Sequence, residues 1–313
     1  MSKILFISNI SNRITTFVTA SIAAAHSLDL DFYQAANWND AEPMQIDKDE
    51  KEYNIKIKNV PISRNPLSKA NLIAYKELVG FIKKENIDFT IVNAENTSGG
   101  MGLTIKDFNT LLRMPINAIT MGNHTWGKKD IFTFIDNPIL LRPANYSKGV
   151  PGKGYNVFKC NDKKIAVINL IGRTDMNVLS ENPFSVADEL VNKLSREADI
   201  IIIDFHAEAT AEKIAMKHFL DGKVNAIFGT HTHVQTADEE ITDKNTAYIT
   251  DIGMTGPKKS VIGMDVSASI KRFLTSLPEK YKLAEGDTIL NGCVFEINDE
   301  ECKTVNIYRI SYK

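Results

Sequence analysis

The chain has 313 residues, with 37 Lys and Arg against 39 Asp and Glu, so its formal net charge is −2. That length suits one or two domains with a sizeable core, and 43% hydrophobic with 24% charged residues fits an ordinary globular protein. Near-neutral charge removes the electrostatic case for a nucleic-acid or anionic-membrane partner, so any phosphate must be met by a local site.

Cys160, Cys293 and Cys302 show no CxxC spacing and cannot form a disulfide framework, which suits a reducing compartment. No apolar run approaches the ~18 residues of a membrane span. Ile4–Ile7, after Lys3, is far shorter than a signal-peptide core. A cytoplasmic protein is expected.

Taken in chain order, Ile4–Ile7 predicts a strand, followed by a helix near Thr15–Leu28, the apolar stretch Leu30–Tyr33 and a mixed-charge loop at Asp47–Glu52. Tyr53, Ile55 and Ile57 alternate with Asn54, Lys56 and Lys58, the pattern of a half-exposed strand. A helix is predicted over Ser68–Glu85, where Ser68 can cap and Leu72, Tyr75, Val79 and Ile82 share one face. Further strands are predicted at Phe89–Val92, Ala118–Met121, Ile165–Leu170, Ile200–Ile203, Ala226–Phe228 and Ala247–Ile249. These runs are short, rich in β-branched residues and mostly continuous, as in strands buried on both faces. Strands alternating with helices argue for a layered α/β fold. No Gly/Ser linker sets the first 88 residues apart, so they are expected to share the sheet.

The residues that follow these strands carry the chemistry, because ligands in such folds collect at the carboxyl ends of strands. Asn93-Ala94-Glu95-Asn96 follows one strand, Gly122-Asn123-His124 the next, then Asp204-Phe205-His206 and Gly229-Thr230-His231-Thr232-His233. Four of the six histidines therefore fall at strand ends, beside Glu95, Asn96 and Asn123. Any one of them alone reads as a packing residue. Together, imidazole, carboxylate and amide oxygen form a ligand set for Zn, Mn or Fe.

Gly122-Asn123-His124 and Gly229-Thr230-His231-Thr232-His233 resemble the metal-binding blocks of calcineurin-type metallophosphoesterases. The longer strings Ile119–Trp126, Asp204–Thr210 and His231–Asp238, with Ala94-Glu95-Asn96, Arg142–Asn145 and Ile249–Pro257, resemble the YmdB-like branch, whose members act as phosphodiesterases, including on 2′,3′-cyclic nucleotides. The resemblance runs from about Phe89 to the C-terminus and implies a layered metallophosphoesterase sandwich. It further implies that Glu95 bridges two divalent ions, that Asn96 and His233 hold the first, and that Asn123, His206 and His231 hold the second. His124 would protonate the leaving oxygen. Two ions ~3.5–4 Å apart can bind phosphate oxygens and generate a hydroxide nucleophile.

The chain departs from the family at its start. The family opens with a strand and a Gly-Asp block whose Asp binds the first metal, and Asn9 stands there instead. An amide oxygen ligates without charge, so the first site is expected to bind its ion more weakly, with reduced activity. Residues 1 to about 88 resemble the start of a group-four GT-B glycosyltransferase, on Tyr53-Asn54-Ile55, Pro61–Ser68 and Asn71–Leu78. A Rossmann-like segment, 1–88, would then supply the first strand or strands to a metallophosphoesterase domain, 89–313, with Ile4–Ile7 beside the Phe89 strand.

Several residues carry two readings. Asp251 and Arg142 orient ligands or serve salt bridges and turns. Gly99-Gly100-Met101-Gly102 approaches a phosphate or makes a turn. Trp126 stacks a base or packs in the core. His26 and His218 lie in helical patterns as surface or packing residues.

The resulting expectation is a metallophosphoesterase with two divalent ions (Fe, Mn or Zn) that acts on a small phosphoester or nucleotide. No other cofactor and no membrane partner is expected, and a homo-oligomer is allowed for. Two alternatives stand beside it: a single-metal hybrid that binds phosphate or nucleotide without turnover, and a glycosyltransferase fragment. The second has no use for the strand-end histidines.

Overall fold

The computed structural model describes residues 2–6, 33–36, 56–59, 82, 87–280, 282–284 and 286–312. In chain order the strands are β1 (Ser2–Phe6), β2 (Tyr33–Ala36), β3 (Lys56–Asn59), β4 (Ile87–Asn93), β5 (Ala118–Thr120), β6 (Leu140–Leu141), β7 (Tyr155–Cys160), β8 (Lys163–Ile171), β9 (Ile200–His206), β10 (Ala226–Thr230), β11 (Glu240–Ile241), β12 (Ala247–Ile249), β13 (Gly256–Pro257), β14 (Thr288–Ile297) and β15 (Thr304–Tyr312). The helices are α1 (Ile105–Leu111), α2 (Pro183–Leu194), α3 (Thr210–Leu220) and α4 (Val266–Thr275).

The chain divides into two compact units. The first comprises Met1–Ser8, Glu85–Met254 and Asn291–Ile310, and the second Asn9–Lys84, Thr255–Leu290 and Ser311–Lys313.

The first unit is built on two sheets. One has the order β14-β1-β4-β5-β6 and the other β11-β12-β10-β9-β8-β7. β1 lies parallel to β4 with Ile4 level with Phe89, the place expected of the opening apolar run. β4, β5 and β6 continue in parallel, as do β8, β9, β10 and β12 in the second sheet. All these strands end toward one edge.

Side-chain alternation explains how the layers form. Ile165 and Val167 of β8, with Ile200 and Ile202 of β9, join Phe89, Ile91, Ala118 and Phe295 in the core between the sheets. Their neighbours Ala166, Ile168, Ile201, Ile203 and Phe205 point the other way, onto α2 and α3. Buried on both faces, β9 shows no exposed position at all, which is why its sequence reads as a continuous apolar run. Each fully buried Ile or Phe contributes roughly 1.5–3 kcal/mol.

α2 is set by Asn182, whose side chain accepts from Phe184 N at 2.9 Å, and by Pro183 in its first turn. Its buried Ala187, Leu190, Val191 and Leu194 fall at helical spacing. Ile119, Met121, Phe108, Ile131 and Phe134 cover the outer face of the first sheet. The product is a four-layer α/β sandwich.

The runs predicted as strands at Phe89, Ile165, Ile200, Ala226 and Ala247 lie within strands, and the run Ala118–Met121 extends one residue past β5, which ends at Thr120. β7, β14 and β15 carry no continuous apolar run. They pair antiparallel, β7 with β8 and β14 with β1, and mix polar with apolar positions. β14 is broken by Asn291 and Gly292.

In the second unit, β2 runs parallel to β3 with Tyr33 level with Lys56, and β13 pairs with the start of β14. α4 is capped by Asp265, which accepts from Ala268 N at 2.9 Å. The helix near Thr15–Leu28, the Asp47–Glu52 loop, all of the Ser68–Glu85 helix except Ile82, His26, Asn9 and the glycosyltransferase-like stretches lie outside the described residues.

Candidate metal centre

Glu95 sits two residues beyond β4, in a turn closed by the glycines that follow it. Gly102 N donates to Glu95 O at 2.6 Å, and Ser98 N to Gly102 O at 3.0 Å. Gly99, Gly100 and Gly102 all adopt positive φ (71°, 79°, 81°), so this cluster makes the turn.

The Glu95 carboxylate is fully buried. One oxygen accepts from His124 N at 2.7 Å and the other lies 3.1 Å from His206 Nε2. Burial pushes this carboxyl up, but the charge and hydrogen bond of His206 and the His124 amide pull it lower, to about 2.

His206, the last residue of β9, is the hub. Its Nε2 lies 2.9 Å from Asn123 Oδ1 and 3.0 Å from His231 Nδ1. Burial pushes its pKa down, yet the Glu95 carboxylate and then Asp204 carry it above the ordinary value. Gly122 admits the ring, for a Cβ there would stand 2.3 Å from His206 Nε2.

His231 follows β10 with φ 103°. Burial and the neighbouring His206 charge hold it down at about 3, so it stays neutral. Its Nε2 lies 3.1 Å from Glu208 Oε2. The neutral ring donates there and turns the Nδ1 lone pair toward His206.

Asn96 Nδ2 lies 2.9 Å from His233 Nε2, and His233 also has positive φ, 66°. The fold therefore brings Glu95, Asn123, His206 and His231 into one group and pairs Asn96, next to Glu95 in sequence, with His233, two residues after His231. His124 joins the first group through its backbone.

The residues around these donors form a fastening. Asp251, just past β12, accepts from Thr232 N at 3.1 Å, Thr232 Oγ1 at 2.8 Å, Gly253 N at 2.8 Å and Lys213 Nζ at 2.8 Å. Lys213 and Asp251 are both buried. Asp238 accepts from Thr250 through both backbone and hydroxyl. Asp251 thus holds the histidine-bearing loop. Arg142 directs its guanidinium to the carbonyls of Pro143, Val150 and Pro151, at 2.7–3.3 Å, and so serves a turn. Trp126 packs between Phe132 and Tyr146, with ring centroids 5.3 and 6.0 Å away. His218 is exposed on α3.

Lys213, Thr230 and Glu208 were not singled out in the sequence. Lys213 had a signal: it sits at the head of the buried stripe Lys213, Met216 and Leu220 of α3, where a lysine needs a partner.

The donor set fits a divalent cation. A carboxylate held ionised, a neutral imidazole and the ring of His206 offer ligand atoms all within 4.8 Å of one another. Among the described residues no helix is long and apolar enough to cross a membrane.

Known proteins resemble this chain in sequence and in fold. The sequence pattern of the YmdB-like protein family matches residues 69–310, reaching upstream of Phe89. The chain is 52% identical over 237 residues to a 2′,3′-cyclic-nucleotide 2′-phosphodiesterase of Bacillus subtilis, covering 75% of this chain and 89% of that protein. A crystal structure described as a novel phosphatase of Mycoplasma pneumoniae superposes with TM-score 0.74 at 32% identity, covering 99% of this chain and 92% of that one. A protein of Thermus thermophilus described as hypothetical gives TM-score 0.74 at 28% identity, covering 99% of this chain and 98% of that one. On this match across residues 69–310 and on these relatives, the chain belongs to the YmdB-like family and is a metallophosphoesterase.

Proposed function

We propose that the chain hydrolyses a small phosphodiester, a 2′,3′-cyclic nucleotide foremost, with two divalent ions at the shared sheet edge. The observation that carries this reading is the meeting of ionised Glu95, His206 and neutral His231 within ligand distance of one another. Glu95 would bridge the ions, Asn123, His206 and His231 would hold one, and Asn96, His233 and Asn9 the other. When bound, such ions supply Lewis acidity toward phosphate oxygens and an activated water. The chain's own part is to place these donors, keep Glu95 ionised, and present His124 as the acid that protonates the departing ribose oxygen.

The test is Mn²⁺-dependent hydrolysis of a 2′,3′-cyclic nucleotide and of bis(p-nitrophenyl) phosphate. The parent is expected to turn over both, and His124→Ala to lose ~10²–10⁴-fold in rate. Turnover unaffected by His124→Ala would remove that residue from the reaction.

Asn9 motivates the second reading, a chain that holds one ion and binds phosphate without turnover. Restoring the charge with Asn9→Asp is expected to raise metal content toward two per chain and to increase the rate. An unchanged metal count would take Asn9 out of the site.

A further inference from the structure

Behind His206 lies a buried chain of hydrogen bonds that no ligand assignment uses. His206 Nδ1 is 2.9 Å from Thr230 Oγ1, and Thr230 Oγ1 is 2.7 Å from Asp204 Oδ1. The other Asp204 oxygen takes Asn93 Nδ2 at 3.0 Å and Thr120 Oγ1 at 2.6 Å. Asn93 is itself oriented, since its Oδ1 accepts from Glu95 N at 3.2 Å. Asp204 is fully buried and Thr230 nearly so.

Proton counting fixes the direction of this chain. Burial pushes the Asp204 carboxyl up, so the count applies to its ionised form, as at alkaline pH: a carboxylate only accepts, and a threonine hydroxyl has one proton. Thr230 gives that proton to Asp204 and has only lone pairs left for His206. The Nδ1 of His206 must therefore be the protonated nitrogen. Its Nε2, which faces Glu95 Oε2, Asn123 Oδ1 and His231 Nδ1, is then the bare one in the neutral ring.

We propose that Thr230, backed by Asp204, is the positioning residue that locks the His206 tautomer so that Nε2 is free to bind a metal ion. The proposal rests on the reading of His206 as a metal ligand. Outer hydrogen bonds of this kind set ring orientation and ligand basicity at metal sites. Here a neutral hydroxyl stands between the imidazole and the carboxylate. The negative charge of Asp204 is held one group away from the ion, and only its proton preference is passed on.

Two near-isosteric changes test it on the full chain. Thr230→Val removes the hydroxyl. Asp204→Asn leaves the amide oxygen to Asn93 and Thr120 and turns its NH₂ toward Thr230, whose proton must then point at His206 Nδ1, forcing the wrong tautomer. Metal-stripped protein titrated with Mn²⁺, with free Mn²⁺ read by electron paramagnetic resonance, is expected to show affinity ~10–100-fold weaker in both variants. Thr230→Ser, which keeps the hydroxyl, is expected to hold the parental affinity.

A second readout needs no metal. Long-range ¹H–¹⁵N spectra of histidine-labelled, metal-free protein at alkaline pH are expected to place the His206 proton on Nδ1 in the parent and on Nε2 in Asp204→Asn. Parental Mn²⁺ affinity in folded Thr230→Val and Asp204→Asn, or a bare Nδ1 in the parent spectrum, would overturn the proposal. If Thr230→Val does not fold, Asp204→Asn and the parent spectrum decide. If the parent binds no Mn²⁺, the metal reading of the site falls, and the spectrum alone still judges the tautomer.

Discussion

Replacing Asp251 by alanine is expected to cost about 3–5 kcal/mol of stability, the usual consequence of leaving one member of a buried ion pair uncompensated. Lys213 Nζ and Asp251 Oδ2 are 2.8 Å apart with side chains 1% and 0% exposed, so solvent cannot take over for either. Lys213→Met is expected to cost less. The methionine fills the α3 stripe beside Met216 and Leu220, and Asp251 keeps three other donors, from Thr232 and Gly253. Urea unfolding of the two variants measures the difference, and equal losses would show that the lysine, not the loop, dominates the network.

The same carboxylate matters for the site. His231 and His233 both sit at positive φ, a conformation that costs residues with a side chain about 1–3 kcal/mol each and persists only when the surroundings enforce it. Thr232 lies between them, and Asp251 grips it by both its amide and its hydroxyl. Asp251→Ala should therefore release the loop and lower metal content as well as stability. Asp251→Asn, which keeps an acceptor oxygen, should retain more of both.

These contacts mark where the sequence was legible and where it was not. The parallel core strands were visible because burial on both faces demands continuous runs such as Ile200–Ile203. The candidate donors were visible because Glu95, Asn123, His206 and His231 are polar metal-ligand types gathered at the ends of apolar strands. β14 and β15 were not, since antiparallel strands with mixed faces carry only a weak alternation. Lys213 was hidden by its type, as a lysine on a helix ordinarily reads as solvated. Thr230 was hidden by its neighbours: beside His231 it passes for a spacer, and only the distances to His206 Nδ1 and Asp204 give it a role. Asp251 carried two readings, and in the structure it makes the buried salt bridge to Lys213 while also accepting from Thr232 between the two histidines.

Gly122→Ala is expected to abolish metal-dependent hydrolysis while leaving a folded protein. An added Cβ would stand 2.3, 2.4 and 2.5 Å from three ring atoms of His206, well inside any contact that real Cβ atoms make. The backbone has little freedom to retreat, for Gly122 O accepts from Thr125 Oγ1 at 2.6 Å and from Tyr146 Oη at 3.0 Å. The ring is held as firmly, between Thr230 at Nδ1 and Glu95, Asn123 and His231 around Nε2. One side must move, and the stability cost of such overpacking is typically about 1–3 kcal/mol. A ligand displaced from its place is expected to cost at least the ~10–100-fold in metal affinity that the loss of an outer hydrogen bond does. Near-parental Mn²⁺ binding in folded Gly122→Ala would mean either that the backbone at 122 yields and His206 keeps its place, or that His206 is not a ligand, and Mn²⁺ titration of His206→Ala tells the two apart. Because the three atoms nearest the added Cβ all belong to the ring, pairing Gly122→Ala with His206→Ala separates the two effects. The second change relieves the crowding and should recover stability, yet it leaves the site without its hub and should recover no activity.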